Sequence, residues 1–197
     1  MLLPDLVVRS RRIVTDHATR PGTIHIRGGK IVGILDFEDV PPGCPLDDAA
    51  DAAIMPGVVD AHVYVSASGH FRRGAFEATT RAAAAGGVTT IVDMPFGRLP
   101  ATTTVQALER KRAAAAQRCY VDVAFLGGAI PANARDLAPL WEAGVLGFAC
   151  VLAPSGSRDF PPLSEADLRS IMPGLTRIRG SRAAEKWARN FERYFSW

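Results

Sequence analysis

The sequence predicts an α/β protein built on a parallel sheet covered by helices, and three observations carry that expectation. From Ala53 onward, short β-branched stretches alternate with alanine-rich stretches of helical length. The short stretches are near-continuously apolar, as strands covered on both faces require. Ahead of Ala53 the pattern is different, with period-two alternation and tight turns, so a small separate sheet precedes the α/β part.

In order along the chain, Leu6-Val7-Val8 and Arg12-Ile13-Val14 read as two short strands. Thr23 to Arg27 alternates apolar and polar, Gly28-Gly29 makes the turn, and Lys30 to Leu35 pairs back as a hairpin. Pro41-Pro42-Gly43 marks a loop. This antiparallel sheet is too small for independent stability. The first strand of the α/β part is Val58 to Val65. A helix follows over Ala75–Ala85, closed by Gly86-Gly87. Val88 to Met94 is a second strand, stopped by Pro95. The second helix runs from Thr104 to Gln117, with Thr102 or Thr103 as its cap. Tyr120 to Phe125 is the third strand, ending at Gly127-Gly128. The third helix is Ala134 to Ala143, and Gly144 to Val151 the fourth strand. A fourth helix starts at Ser164, with first-turn acids behind it.

A doubly wound sheet and a (β/α)8 barrel both fit this rhythm. No GxGxxG fingerprint follows the first strand, which disfavours a dinucleotide fold. A full barrel takes about 200 residues or more for its eight units, and only four units are present here.

Composition excludes several classes. With 48% hydrophobic and 22% charged residues, 18 Gly and 14 Pro, the chain is neither disordered, nor collagen-like, nor a disulfide-stapled miniprotein. No apolar run approaches the ~20 residues of a membrane span. The opening residues, with Asp5 and three early arginines, do not read as a secretory leader. Cys44, Cys119 and Cys150 are too few and too scattered for a disulfide or zinc framework, and read as idle thiols in a reducing cytoplasm. The net charge of +3 does not indicate nucleic acid. Six of the 23 basic and two of the 20 acidic residues fall within 177–197, which leaves 17 and 18 in the rest. The basicity belongs to the tail.

The segment from Pro56 to Tyr64, with Asp60-Ala61-His62, resembles the first barrel strand of the amidohydrolase superfamily. Thr79 to Pro95 and Pro100 to Thr104 resemble the next helix, strand and loop of its allantoinase branch. Cys119 to Val123, Gly127 to Pro131, Gly144 to Phe148, Pro154-Ser155-Gly156 and Leu163 to Leu168 continue the match, so the resemblance spans residues 5–178. It implies a partial (β/α)8 metal-dependent hydrolase barrel of about four units. Residues 1–54 would be the N-terminal part of a small composite β-sandwich, 55–178 the first half of the barrel, and 179–197 a divergent basic tail. The activity it implies is hydrolysis of a cyclic amide, allantoin opening to allantoate in purine catabolism. It also implies two divalent metals, usually zinc, whose bridging hydroxide attacks the ring carbonyl.

The family's ligands are two histidines of the first strand, a carboxylated lysine on the fourth, two later histidines and an aspartate. His62 stands at the first position. Tyr64 occupies the second and Ala149 the lysine position; Cys150 falls on the other face of its strand. His17, His25 and His70 match nothing, and the later strands that carry the remaining ligands are missing. His62 is therefore a remnant metal ligand, and no catalytic or cofactor-binding residue is assigned. Zinc catalysis takes at least three protein ligands. The expectation is a cytoplasmic chain that is catalytically inactive alone. The open barrel edges would favour self-association or pairing with an intact relative, as a non-catalytic partner or regulatory subunit. A third possibility is an active amidase completed by another chain. In the tail, Trp187, Phe191 and Tyr194 or Phe195 recur at helical spacing among basic residues. That pattern fits a helix lying on a membrane or in a partner's groove, a cover for apolar surface, or an out-of-frame extension in a GC-rich gene.

Overall fold

A computed structural model describes residues 3–65, 74–96, 100–116, 118–154 and 156–180, with residues 179 and 180 described by backbone alone. The chain divides between Pro56 and Gly57 into two compact units. The tail beyond residue 180 and His70 lie outside the described residues.

The first unit is a five-stranded sheet: β1 (Leu6–Val14), β2 (Thr19–Arg27), β3 (Lys30–Leu35), β4 (Leu46–Asp48) and β5 (Ala53–Ile54). Its order is β3-β2-β1-β4, with β5 also paired to β1. The two short strands expected over residues 6–14 are one strand with a bulge. Ser10 pairs with Gly22 and Ile13 with Arg20, so Arg11 and Arg12 stand opposite the single residue Pro21, which has no N–H to give the ladder. The buried Ser10 hydroxyl stabilises this break by donating to Ala52 O (2.6 Å) and accepting from the Arg12 N–H (2.9 Å). Gly28 and Gly29 both have positive φ (56° and 73°), the conformation a two-residue hairpin turn needs. The sheet is mixed, not antiparallel as expected, because β4 and β5 run parallel to β1. Residues 36–45 carry the chain across to the far side of β1, and the buried His25 ring tethers that crossover at Asp39 O (2.8 Å).

In the second unit β6 (Val58–Val63), β7 (Val88–Asp93) and β8 (Asp122–Phe125) form a parallel sheet in that order. A parallel pair, β9 (Gly127–Gly128) and β10 (Phe148–Ala149), follows directly. The Leu126 N–H donates to Asp93 O and the Leu146 N–H to Phe125 O, so the stretch from Asp122 to Gly128 is bonded on both edges. The helices are α1 (Ala75–Ala85), α2 (Val105–Ala115), α3 (Leu137–Glu142, entered through a 3-10 turn at Ala134–Asp136) and α4 (Glu165–Gly180). This is the strand-helix alternation expected from the sequence, as a partial α/β unit.

Strand β7 is covered on both faces, since Thr90, Ile91, Val92 and Asp93 are all buried. Ile91 joins Phe76, Leu108, Phe125, Leu140, Trp141 and Val145 in one cluster. Val92 packs with Ala124 in another, flanked by Leu126 and Leu146. The fourth strand is shorter than expected, two residues instead of eight. The lead-in from Gly144 to Val145 is used to close α3, with N–H bonds to Trp141 O and Leu140 O, and the Val145 side chain is fully buried. The cap of α2 is Thr104, whose hydroxyl accepts from the Ala107 N–H (3.2 Å), and not Thr102 or Thr103. Thr102 is instead buried, with its hydroxyl unpaired. Ser164 caps α4 as expected, its hydroxyl accepting from the Asp167 N–H while the Asp167 carboxylate accepts from the Ser164 N–H.

Candidate functional site

The site grows from a defect in β6. Asp60 pairs with Ile91 and Val63 with Asp93, so Ala61 and His62 stand opposite the single residue Val92. This bulge removes the His62 N–H from the ladder, and the Asp60 carboxylate accepts it (3.1 Å). Bulges re-aim side chains next to functional sites. Here the result is that His62 Nε2 lies 3.1 Å from Tyr64 Oη, with ring centroids 5.2 Å apart at 66°. The two residues expected on one side of the strand are brought together.

Beyond Val63 the ladder is replaced by side chains. The Met94 N–H still donates to Val63 O (2.8 Å). In a regular parallel pair Met94 O would then accept from Val65, but it accepts from Lys111 Nζ (3.0 Å). The Val65 N–H goes to Asp93 Oδ1 (3.1 Å), and Asp93 Oδ2 accepts from Lys111 Nζ (2.6 Å). Both side chains of this ion pair are almost fully buried. Burial pushes the Asp93 carboxyl above its ordinary value, against the opposing pull of the Lys111 ammonium and the Val65 N–H. Strand β6 therefore ends at Val63 and not at Val65, because charged side chains take over the last ladder positions.

Tyr64 packs edge-on against Phe96 (centroids 5.3 Å), and Phe96 against Phe160 (4.7 Å, 30°). Phe160 is fully buried and occupies the place a side chain at 128 would need. A Cβ on Gly128 would come within 2.3 Å of its ring, so glycine is required there. Asn133 ties the surrounding loops, donating to Thr103 O and Gly128 O and accepting from the Ile130 N–H.

The other expected positions do not join this group through any bond. Ala149 lies in β10 opposite Gly128 and offers no donor atom, and Cys150 beside it is exposed. In the first unit, His17 sits at the surface beside Asp16 and His25 is bonded to Asp39 O. Among the described residues, no three His, Cys, Asp or Glu side chains come together as a metal site. One imidazole, its Nε2 already facing a neutral phenol, is not a donor set for a binuclear centre. The residues present do not fit the metals that the resemblance implies. An open groove of about 700 Å³ lies at the opposite ends of β7 and β8, lined by Val88, Thr89, Tyr120, Val121 and Asp122.

Asp60, Asp93, Lys111, Phe96 and Phe160 carry this site, and none was assigned a role from the sequence. Lys111 did leave a signal. It lies four residues from Ala107 and three from Leu108, which puts a charge on the buried stripe of α2.

No family model matches the chain. It is 45% identical over 177 residues to the allantoinase of Streptomyces avermitilis, covering 89% of this chain and 40% of that protein. It is 43% identical over 170 residues to the mitochondrial allantoinase of Aquarana catesbeiana, covering 86% of this chain and 35% of that protein. Among solved structures, the L-hydantoinase of Arthrobacter aurescens superposes with a TM-score of 0.80 at 34% identity, over 89% of this chain and 39% of that one. A D-hydantoinase at 23% identity and a TM-score of 0.73 shares the fold. The chain spans about 35–40% of the length of these curated relatives.

Proposed function

Because the chain is a homologue of the allantoinases over 89% of its own length, we propose that it is the first part of an allantoinase-like cyclic amide hydrolase, catalytically inactive as it stands. The observation that carries this reading is the mismatch between scaffold and chemistry. Residues that build strands and helices keep the family pattern, whereas the ligand positions hold Tyr64 and Ala149. His62 is then a remnant ligand. A metal bound by the family would polarise the ring carbonyl and supply hydroxide; with His62 alone as a ligand, no such step can be assigned to this chain.

The test is direct. Purified chain incubated with allantoin and added zinc or cobalt is expected to release no allantoate above background. Release above background, lost in His62→Ala, would overturn the proposal.

A partner role is a second reading, favoured by strand β6. Among the described residues it is bonded only to β7, and Val58 and Val59 are about half exposed (49% and 52%). A free edge with apolar side chains invites another strand, from a second copy or from an intact relative. Co-purification of an intact amidohydrolase with the tagged chain would favour this reading. A cytoplasmic location is part of the proposal and rests on three free thiols. No helix of the described residues is long and apolar enough to cross a membrane.

A further inference from the structure

We propose that the open groove where β7 and β8 begin is the docking site of this chain's own tail, residues 181–197, laid into it as an amphipathic helix. This docking depends neither on the hydrolase reading nor on pairing at β6, and each of those has its own test.

The groove suits an occupant with one apolar side and one basic side. Its space of about 700 Å³ lies between the last turns of α1 and α2 and the first residues of β7 and β8. Val88, Ala115, Cys119 and Val121 are partly buried against the main apolar cluster, so the floor is a half-covered continuation of the core. Tyr120 stands over it, 60% exposed. Asp122, at the rim, is the polar exception. Burial pushes its carboxyl above the ordinary value, with no cation or N–H among the described residues pulling it back. Arg112, the cation of the groove, is engaged with Glu109 and Ala143 O. An apolar floor beside an uncompensated carboxylate selects an apolar ridge flanked by positive charge.

The tail has that pattern. Trp187, Phe191 and Tyr194 are spaced four and three, the spacing of anchors on a helix laid in a groove. Arg182, Lys186, Arg189 and Arg193 are spaced four, three and four, so they form a second stripe beside the aromatic one.

The chain also delivers the tail to this place. Ile171, in the second turn of α4, packs with Ala129 and Leu137. The 16 residues of α4 span about 24 Å. Ile178, in the last turn, joins the cluster against which Ala115, Cys119 and Val121 pack. Ser181 follows three residues later. A segment tethered so close to its groove acts at a high effective concentration, which favours this chain's own tail over that of a second copy.

The test uses Cys119, which lines the groove, as the reporter. Cys44, in the first unit, and the exposed Cys150 are controls within the same molecule. The full chain is alkylated with a bulky maleimide, and each thiol is followed by peptide mass spectrometry. The double variant Trp187→Ala with Phe191→Ala is expected to react at Cys119 about tenfold faster than the parent, equivalent to about 1.4 kcal/mol of docking. Cys44 and Cys150 are expected to react as before. Changing Arg182, Lys186, Arg189 and Arg193 together to Glu is expected to act in the same sense, and adding Asp122→Lys to restore protection. Unfolding cannot produce such a rescue. If all three thiols speed up in the aromatic variant, the fold has opened and the charge exchange alone decides. Equal Cys119 rates in the parent and both tail variants, or failure of the rescue, would overturn the inference. So would protection that grows with protein concentration, which would give the groove to a second copy's tail.

Discussion

At the scale of single residues, the most demanding feature is the pair Asp93–Lys111. It is an ion pair in a part of the strand ladder where backbone groups alone would suffice, and removing one partner leaves the other charge buried. Lys111→Met is therefore expected to destabilise the second unit by about 3–5 kcal/mol, against a total stability of about 5–15 kcal/mol for a domain. The double variant Lys111→Met with Asp93→Asn leaves no charge stranded and is expected to recover part of that loss. Asparagine can still accept from the Val65 N–H. Urea unfolding followed by circular dichroism measures both, and equal midpoints for the single variant and the parent would refute the assignment. Burial explains why the sequence did not disclose this pair. An aspartate ending an apolar strand and a lysine eighteen residues later are ordinary separately, and only the fold puts them 2.6 Å apart.

Elements were more legible than residues, for a physical reason. Helix α1 falls on the expected residues, Ala75 to Ala85, because alanine runs and a terminal glycine pair act locally. Strand ends were not legible, because what ends them is not local. Strand β6 stops where Lys111 takes Met94 O, and β10 is cut to two residues by the closing bonds of α3. Ser10 acts in the same way, turning two expected strands into one by reaching Ala52. Of the candidate site, the shared side of positions 62 and 64 followed from their spacing, whereas the contact between their side chains and the packing of Phe160, from a loop that no periodicity marks, did not. The cap of α4 gives a test at this scale. Hydrogen bonds from the Ser164 hydroxyl and N–H hold the Asp167 carboxyl below its ordinary value. A depressed folded value means that the stabilisation is present above the ordinary carboxylate value and is lost as pH falls through the depressed one. An NMR titration should place the Asp167 midpoint below that of an unstructured aspartate, and Ser164→Ala should move it back up.

At the scale of the molecule, the proposed association through β6 has a specific consequence. A charged residue on an exposed strand edge is a common natural block to edge pairing, so Val59→Lys is expected to shift sedimentation towards the monomer. Val59 is half exposed, so the variant should retain its fold. An unchanged, association-free profile in both proteins would remove edge pairing as the mode of assembly. The bulge at Ala61-His62 reaches further than the site it shapes. It makes the aim of positions 62 and 64 a property of the main chain, held by Asp60 and Asp93 and indifferent to which ring is mounted there. Shape and chemistry are thereby separable: the strand presents two side chains to one side whatever rings stand at positions 62 and 64.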